Sequence, residues 1–259
     1  MGKRVNFEIK DKVAYLTMNR PEKRNAIDDL AVEEIMGYFG QANTDEGVRV
    51  IVFRGEGSAF SAGADLDYLL RLAQNTSSAN FEDSCALKNL LLDIYRSKKL
   101  VCAIVRGPAL AGAFGLILAC DMIIASDKAK FGFTEVKIGF VPAVVLNLAL
   151  RKLRESDVRR LILTGKIVDA EEALRIGLIS EVVGDSKIET YTEQFLKEFV
   201  AGTSKKAIAL TKEILSIVRD MTLEEALRYS AAMNVAARST DDFQKGVNGF
   251  LKKQQVEWE

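Results

Sequence analysis

Residues 101–126, VCAIVRGPALAGAFGLILACDMIIAS, place a strand, a turn, a helix and a second strand in direct succession. The runs at 101–105 and 121–126 have strand length and are almost entirely apolar, whereas the run at 111–120 is apolar on every side of the helix that it predicts. Strands without polar alternation are typical of a parallel sheet that helices cover on both faces. The stretch therefore predicts an α/β fold.

The same alternation of strands and helices continues on the N-terminal side. The predicted elements there are a hairpin at residues 5–17, a helix from Ile27 to near Gly40, a strand at 49–53 and a helix at 82–96. After Val183 the pattern becomes almost continuously helical, over residues 187–219 and 222–252. We therefore predict an α/β core over residues 1–185 and a helical C-terminal region over residues 186–259.

The composition excludes several kinds of site. The 259 residues include 36 basic and 36 acidic side chains, which gives a formal net charge of zero, and they include no histidine. The balanced charge argues against a nucleic acid or a membrane surface as a partner. Without histidine the chain cannot form a Ser-His-Asp or Cys-His nucleophile or a histidine-ligated metal centre. Catalysis would then rely on carboxylates, backbone amides, Lys, Tyr or a cofactor, and we predict no metal site.

The cysteines predict a reducing compartment. Cys85, Cys102 and Cys120 are odd in number and widely spaced, and the last two lie in apolar runs where a buried thiol is expected. The charged N-terminus lacks the apolar centre of a secretory signal, and the longest uncharged run is shorter than the roughly 20 residues of a membrane helix. We therefore expect a cytoplasmic protein.

Two turns rich in glycine and alanine follow predicted strands, at residues 58–65 (SAFSAGAD) and 107–115 (GPALAGAFG). Small side chains let the backbone approach a ligand, and the second turn runs into a helix whose first amides lie at the positive end of its dipole. Two such turns could direct two N–H groups at one oxygen atom. Alternatively, the small residues only allow close packing of a helix on a strand. Neither turn has the spacing of a phosphate-binding loop.

Glu135 is the third candidate feature, since it stands in an otherwise apolar segment, residues 131–142 (FGFTEVKIGFVP). Burial there would raise the pKa of its carboxyl group towards the range that is useful for proton transfer. The other interpretation is a glutamate paired with Lys137 or Arg106, and the sequence alone slightly favours that pairing.

These blocks together resemble the crotonase superfamily, the enoyl-CoA hydratase/isomerase family. The resemblance rests on residues 61–65, 107–126, 131–143 and 163–183, in that order and at that spacing, and it covers nearly the whole chain. It implies a crotonase-like spiral of ββα units with a helical C-terminal region, assembled as a homotrimer or homohexamer. It also implies an acyl-CoA thioester as substrate and no cofactor beyond the coenzyme A that the substrate carries.

The resemblance further implies the site residues. The amides of Ala62 and Gly112 would hold the thioester oxygen as it gains enolate charge, and Glu135 would carry protons. The positions that line the coenzyme A path in the family match Arg24, Ala26, Ala62, Gly63, Ala64, Asp65 and Leu66. Lys253 matches a basic position that approaches a coenzyme A phosphate across a subunit boundary, and its neighbour Phe250 is predicted to be part of the core.

One position departs from the family pattern. Hydratases of the family use two glutamates, of which the later matches Glu135 and the earlier falls on Gly115. With one carboxylate, Glu135 could act as both base and acid in adding water to a 2-enoyl-CoA. It could instead move a proton between carbons 2 and 4 of an enoyl-CoA, as an isomerase does.

We predict a hydratase. The segment that starts at Phe131, together with Gly115, resembles a bacterial subgroup assigned to hydration of branched substrates of the methylglutaconyl-CoA type. A dienoyl-CoA isomerase is disfavoured, because its acidic positions fall on Gly115 and Ala143. A crotonase-fold protein that binds acyl-CoA without turnover is a further alternative, although such a protein would not need a buried base.

Overall fold

Nine strands form two sheets within residues 2–258, the part of the chain that this computed structural model describes. The strands are β1 (Val5–Lys10), β2 (Val13–Met18), β3 (Val50–Gly55), β4 (Leu100–Val105), β5 (Pro108–Leu110), β6 (Met122–Ser126), β7 (Lys130–Gly132), β8 (Val168–Asp169) and β9 (Glu181–Val183). The central sheet has the order β1-β2-β3-β4-β6-β9, and the small sheet has the order β5-β7-β8. In the central sheet β1 and β2 pair antiparallel and all other neighbours pair parallel, which confirms the predicted α/β class.

Helices fill the connections and the C-terminal region. They are α1 (Asp29–Thr44), α2 (Leu66–Leu72), α3 (Ser77–Arg96), α4 (Gly112–Ala119), α5 (Ala143–Lys152), α6 (Glu155–Thr164), α7 (Ala170–Arg175), α8 (Ile188–Gly202), α9 (Lys205–Ile217), α10 (Leu223–Arg238) and α11 (Asp241–Leu251). Each of the described helices is too short or too polar to span a lipid bilayer.

Several helix boundaries differ from the sequence prediction. Helix α1 continues past Gly40 to Thr44 because Ala42 extends its buried face, and α3 begins at Ser77 because the Thr76 side chain caps its first turn. The C-terminal region is four helices rather than two, since Ser204 and Thr240 each start a new helix by accepting a hydrogen bond from a backbone amide three residues later. Thr222 begins α10 with a full capping box that includes Glu225.

The central sheet is buried on both faces. Along β3 the side chains alternate, so that Ile51 and Phe53 join the larger hydrophobic cluster whereas Val50 and Val52 join the smaller one. The larger cluster includes the apolar sides of α1, α3 and α4, and the smaller one includes Ile188 of α8. Burying one such aliphatic or aromatic side chain contributes about 1.5–3 kcal/mol. This packing fixes the ends of the strands, from which the candidate site is built.

The C-terminal helices leave large apolar side chains exposed. Helix α10 has no buried residue, and Leu223 and Leu227 lie largely in solvent. Phe250 is 86% exposed, so its assignment to the core was wrong for the single chain. The transition from sheet to helices follows β9, where a 3₁₀ turn at Asp185–Lys187 leads into α8. The division of the chain into residues 1–185 and 186–259 stays a prediction.

Candidate active site

The N-terminus of α4 is the place where the predicted site residues meet. Strand β5, which precedes α4, pairs with β7, and the Ala111 amide donates a hydrogen bond of 2.9 Å to the Gly132 carbonyl. The ring of Phe114 packs against that of Phe133 with a centroid separation of 4.5 Å. Glu135 follows within one turn and begins the 3₁₀ turn Glu135–Ile138. The small sheet therefore holds Glu135 beside the start of α4.

The first glycine-rich turn lies directly against the second. Ser61 forms a bridge with Ala109, in which the Ser61 amide donates to the Pro108 carbonyl and the Leu110 amide donates to the Ser61 carbonyl, each over 3.1 Å. Gly63 has a φ of +98°, and a Cβ there would stand 2.8 Å from the Leu110 carbonyl oxygen. Only glycine satisfies both the backbone angle and the close approach. The predicted proximity of the two turns is therefore present.

The amide of Ala62 is already used by the fold. It donates a hydrogen bond of 2.9 Å to the carbonyl of Arg24, so it is not free to bind a substrate oxygen, and the prediction of Ala62 as an oxyanion donor is corrected. The amide of Ala64 is not used in this way, although Ala64 forms a parallel bridge with Ile27. The hydrogen bonds of that bridge involve the residues on either side of Ala64. The Ile27 amide donates to the Gly63 carbonyl, and the Asp65 amide donates to the Ile27 carbonyl. The N–H of Ala64 itself points away from Ile27.

Two amides at this junction remain available for a ligand. Within residues 2–258, neither the N–H of Ala64 nor that of Gly112 has a hydrogen-bond partner. Gly112 is the first residue of α4, so its amide also lies at the positive end of the helix dipole. Its neighbour Ala111 has φ 49° and ψ −131°, a conformation that costs about 1–3 kcal/mol in a non-glycine residue. The fold maintains this strained turn just where it leaves the Gly112 amide unpaired.

Glu135 is buried without a counter-charge. Its residue is 5% exposed, and its Oε2 atom has no hydrogen-bond partner in the described part of the chain. Burial raises the pKa of the Glu135 carboxyl above its ordinary value, although its own backbone amide opposes this in part. Arg106 is engaged elsewhere, since it pairs with Asp185 at 3.2 Å and Glu189 at 3.1 Å.

The ion-paired interpretation of Glu135 is therefore wrong. The aliphatic part of the Lys137 side chain lies against Gly165 rather than leading its ammonium group to the carboxylate. A buried carboxyl group with a raised pKa and no partner is a suitable proton carrier, because burial makes its protonated form more accessible than that of an exposed glutamate.

Glu135 should make stability depend on pH. A raised pKa in the folded state means that stability is fully present below the ordinary value of 4.5 and is lost as the pH rises through the folded-state pKa. We therefore expect Glu135→Gln to match the wild type in free energy of unfolding near pH 4 and to exceed it at about pH 8. Urea unfolding across this range measures the difference. A variant that is less stable than the wild type at the higher pH would contradict the burial of an uncompensated carboxylate.

Gly115 is the position to which the resemblance assigns the earlier glutamate of the family, and the structure leaves no room for a side chain there. A Cβ built on Gly115 would overlap with Cγ1 of Val145 in α5, and Leu91 of α3 stands 3.7 Å away on another side. Helices α4 and α5 thus make direct contact through this glycine. A glutamate at position 115 would therefore overlap with Val145 at its first side-chain atom.

Gly115→Ala should destabilise the fold by about 1–3 kcal/mol, because the added methyl group overpacks a closed contact. Adding Val145→Ala should restore most of this loss, and a double-mutant cycle of unfolding free energies measures the coupling. Gly37 in α1 offers the control, since a Cβ there meets nothing within 4 Å and Gly37→Ala should stabilise by about 0.5–1 kcal/mol. Independent effects of the Gly115 and Val145 substitutions would contradict the contact.

The residues predicted to line the coenzyme A path fall into two groups. Leu66 is 63% exposed at the start of α2, and Arg24 has an exposed side chain in a left-handed turn with φ 51°. Ala26 and Asp65 instead belong to a buried ion network around Arg20. The Arg20 guanidinium bonds the Ala26 carbonyl at 3.0 Å and pairs with the carboxylate of Asp65 at 3.1 Å.

The Asp65 side chain therefore has a structural role. Its carboxylate also accepts from the amides of Asp67 and Tyr68 and so caps α2. Burial acts to raise the pKa of this carboxyl, but the hydrogen bonds from Arg20 and the two amides outweigh it and hold the pKa below its ordinary value. The side chain is committed to the fold, so any contact of Asp65 with a ligand would come from its backbone.

Lys253 does not lie with the other predicted residues in the single chain. It follows α11 in a turn with φ 54°, and the residues after it, Gln255–Trp258, share a cavity with the hairpin turn at residues 10–12. That turn is at the opposite end of β2 from Arg20. A contact of Lys253 with coenzyme A would have to come from another subunit, and it stays a prediction.

The sequence did not reveal two pairs of side chains beside this site. Arg20 pairs with Asp28 at 2.9 Å in addition to Asp65, and all three side chains are less than a tenth exposed. Tyr68 of α2 donates a hydrogen bond to Asp83 of α3. The sequence did contain a signal for the Arg20 pairs, namely an arginine among polar residues directly after a buried strand. The bond between Tyr68 and Asp83 joins two helices, so it has no local signal in the sequence.

The comparisons with known proteins agree with this architecture. The family model described as enoyl-CoA hydratase/isomerase matches residues 8–259. A Thermus thermophilus protein whose name describes it as an enoyl-CoA hydratase is 36% identical over 94% of this chain and 96% of its own, and the (E)-benzylidenesuccinyl-CoA hydratase of Thauera aromatica is 31% identical over 95% of each. The crystal structure of a crotonase homologue from Legionella pneumophila superposes with a TM-score of 0.90 at 35% identity and 98% coverage of both chains. The predicted crotonase fold is thus confirmed.

Proposed function

This chain belongs to the enoyl-CoA hydratase/isomerase family, and from that premise we propose that it is an enoyl-CoA hydratase, which adds water to a 2-enoyl-CoA. The observation that carries the proposal is the buried, unpaired carboxyl group of Glu135 beside two unpaired amides. Both relatives named above carry hydratase names, which supports hydration over isomerisation. A branched substrate of the methylglutaconyl-CoA type belongs to the same proposal.

The geometry of the site supports the following chemistry. The amides of Ala64 and Gly112 bind the thioester carbonyl oxygen and stabilise the negative charge that it gains when a nucleophile adds to carbon 3. Water supplies the nucleophile, and Glu135 delivers a proton to carbon 2 of the resulting enolate. The proposal replaces Ala62 by Ala64 as the first donor and keeps Gly112 as the second. It requires neither a metal nor a cofactor besides the coenzyme A of the substrate.

An isomerase is the second candidate, and the contact between Gly115 and Val145 favours it. That contact leaves Glu135 as the single glutamate at this position, and one carboxyl group suffices to move a proton from carbon 4 to carbon 2. The amides of Ala64 and Gly112 would stabilise the dienolate in the same way.

One spectrophotometric assay separates the candidates. The purified protein is given crotonyl-CoA or 3-methylglutaconyl-CoA in one cuvette and a 3-enoyl-CoA in another, and the absorbance of the conjugated enoyl thioester is followed. Loss of the conjugated thioester supports hydration, whereas its appearance from the 3-enoyl ester supports isomerisation. If neither changes while calorimetry detects acyl-CoA binding, the protein is a non-catalytic binder and the proposal fails.

We also propose a homotrimer or homohexamer in a cytoplasmic compartment. The exposed apolar side chains of α10 and α11, including Leu223, Leu227 and Phe250, support burial against another copy of the chain. The free, buried thiols of Cys102 and Cys120 support a reducing compartment. Light scattering of the purified protein tests the oligomeric state.

A further inference from the structure

The proposed hydration needs two proton transfers, and Glu135 accounts for only one of them. Adding water across a double bond delivers a proton to carbon 2 and removes one from the water molecule that attacks carbon 3. Glu135 can donate the proton to carbon 2. Val145, however, leaves no space for a side chain at position 115, to which the resemblance assigns the second glutamate of the family. A second acidic group near the unpaired amides would remove this difficulty.

Helix α3 brings an aspartate to that region. Its residue Tyr95 lines a cavity together with Leu118 and Ala119 near the end of α4, and Leu91 lies against Gly115 in the middle of α4. The two helices therefore run side by side in the same direction. One turn earlier on α3, about 6 Å along the axis, Leu87 is level with the first residues of α4.

Asp83 lies one further turn along the same side of α3, because residues at i and i+4 share a helix face. This position is just beyond the N-terminus of α4, where the Gly112 amide is unpaired. The spacing 83, 87 and 91 thus carries a carboxylate, rather than another apolar side chain, to the open end of the helix pair.

Tyr68 fixes this carboxylate from the opposite side. Helix α2 begins directly after the turn that contains Ala64, and the Tyr68 hydroxyl donates a hydrogen bond to Oδ1 of Asp83. Both side chains are partly buried, and their hydrogen bond joins α2, which begins two residues after Ala64, to α3. Within the described residues Oδ2 of Asp83 has no partner and is free to accept a proton.

The surroundings keep the tyrosine protonated. Burial raises the pKa of the Tyr68 hydroxyl, and the hydrogen bond to Asp83 and the charges of Asp83 and Asp29 raise it further. The Arg71 guanidinium, which lies 5.4 Å from the centre of the Tyr68 ring and pairs with Asp29 at 3.5 Å, acts in the opposite direction but does not outweigh them. Tyr68 is therefore a stable donor, and Asp83 is the acceptor of the pair.

We infer that Asp83 is the base for the water molecule in the proposed hydration and that Tyr68 is its positioning residue. The inference rests on the hydratase function proposed above. The water oxygen forms a bond to carbon 3 while one of its O–H bonds breaks and the proton moves to Oδ2 of Asp83. The electron pair of the C2=C3 bond moves into the thioester, whose oxygen Ala64 and Gly112 hold. Protonated Glu135 then donates to carbon 2, and solvent returns the proton from Asp83 to Glu135.

Asp83→Asn tests this role while keeping the link between the helices, because the asparagine carbonyl still accepts from Tyr68. We expect kcat for hydration of crotonyl-CoA to fall about 10²-fold. Deuterium exchange at carbon 2 of butyryl-CoA, followed by mass spectrometry in D₂O, should stay near the wild-type rate, because it needs only Glu135 and the two amides. Glu82→Gln is the matched control, since Glu82 is exposed one residue away and should leave both rates unchanged.

Tyr68→Phe tests the positioning role by comparing two rates. Without the phenol hydrogen bond to Oδ1 the Asp83 carboxylate is no longer held in place, so kcat for hydration of crotonyl-CoA should fall about tenfold while KM and the rate of deuterium exchange at carbon 2 stay near the wild-type values. A purely structural link between α2 and α3 would lower the melting temperature and change both rates in the same proportion.

The outcomes distinguish this inference from the proposed function. Wild-type hydration rates in Asp83→Asn, or equal losses of hydration and exchange, would overturn the role of Asp83 and leave the hydratase function in place. An unchanged kcat for hydration in Tyr68→Phe, or losses of hydration and exchange in the same proportion, would overturn the positioning role. A wild-type protein that exchanges carbon-2 protons but does not hydrate either substrate would overturn both the function and the inference.

Discussion

Glu135→Gln is expected to lower kcat for hydration of crotonyl-CoA by about 10³–10⁴-fold, the upper part of the range for loss of a general acid or base. Glutamine has nearly the same shape and fills the same buried position, but it cannot hold the proton that carbon 2 receives. The carboxyl group has no ion pair to lose, so the substitution removes proton transfer with little disturbance of packing. Steady-state kinetics with crotonyl-CoA measures the effect.

Binding should separate from turnover in this variant. The unpaired amides of Ala64 and Gly112 are unchanged, so the Kd for a saturated acyl-CoA, measured by calorimetry, should stay within about threefold of the wild type. Glu171→Gln is the matched control, because Glu171 is an exposed glutamate of α7 outside the site. Turnover that survives in Glu135→Gln would remove Glu135 from the mechanism, and parallel loss of binding would show that the substitution damages the site as a whole.

The sequence predicts the elements around this site well, because their signals are local. The apolar strands at 101–105 and 121–126 and the helix between them are visible in the order of side chains alone. The hairpin is equally local, since Asp11 and Lys12 both adopt positive φ in the two-residue turn that joins β1 to β2.

What could not be predicted depends on contacts between distant segments. Glu135 does not pair with Arg106, because Arg106 pairs with Asp185 and Glu189 instead. These two acidic residues lie about fifty residues after Glu135 in the sequence, so the pairing has no local signal. The bond between Tyr68 and Asp83 joins two helices whose relative position is set by the core. The apolar side chain of Phe250 predicts a core position, but Phe250 is largely exposed to solvent in the single chain.

The sequence does not tell which of the two amides, that of Ala62 or that of Ala64, is free to bind a ligand. Both are small residues of one turn, and they differ only in the side to which each amide points. That side is set by the bridge between Ile27 and Ala64 and by the Arg24 carbonyl, which receives the Ala62 amide. A shift of two residues exchanges a structural hydrogen bond for a free donor, and no property of the side chains marks the difference.

The same pair of alanines allows a matched test of the oxyanion site. Incorporating lactic acid, the hydroxy analogue of alanine, at position 64 replaces one backbone N–H by an ester oxygen and leaves the methyl side chain in place. We expect kcat for crotonyl-CoA to fall about 10²–10³-fold, the typical cost of losing one oxyanion donor. The melting temperature should change little, because the Ala64 amide has no partner within the described residues.

The identical replacement at position 62 should give the reverse pattern. It removes the hydrogen bond from Ala62 to the Arg24 carbonyl and should cost about 0.5–1.5 kcal/mol of stability while kcat stays within a few-fold of the wild type. Each ester also weakens one carbonyl acceptor, that of Gly63 or of Ser61, so the two variants are balanced in this respect. A large loss of kcat at position 62 together with a normal kcat at position 64 would reinstate Ala62 as the donor and contradict the geometry described above.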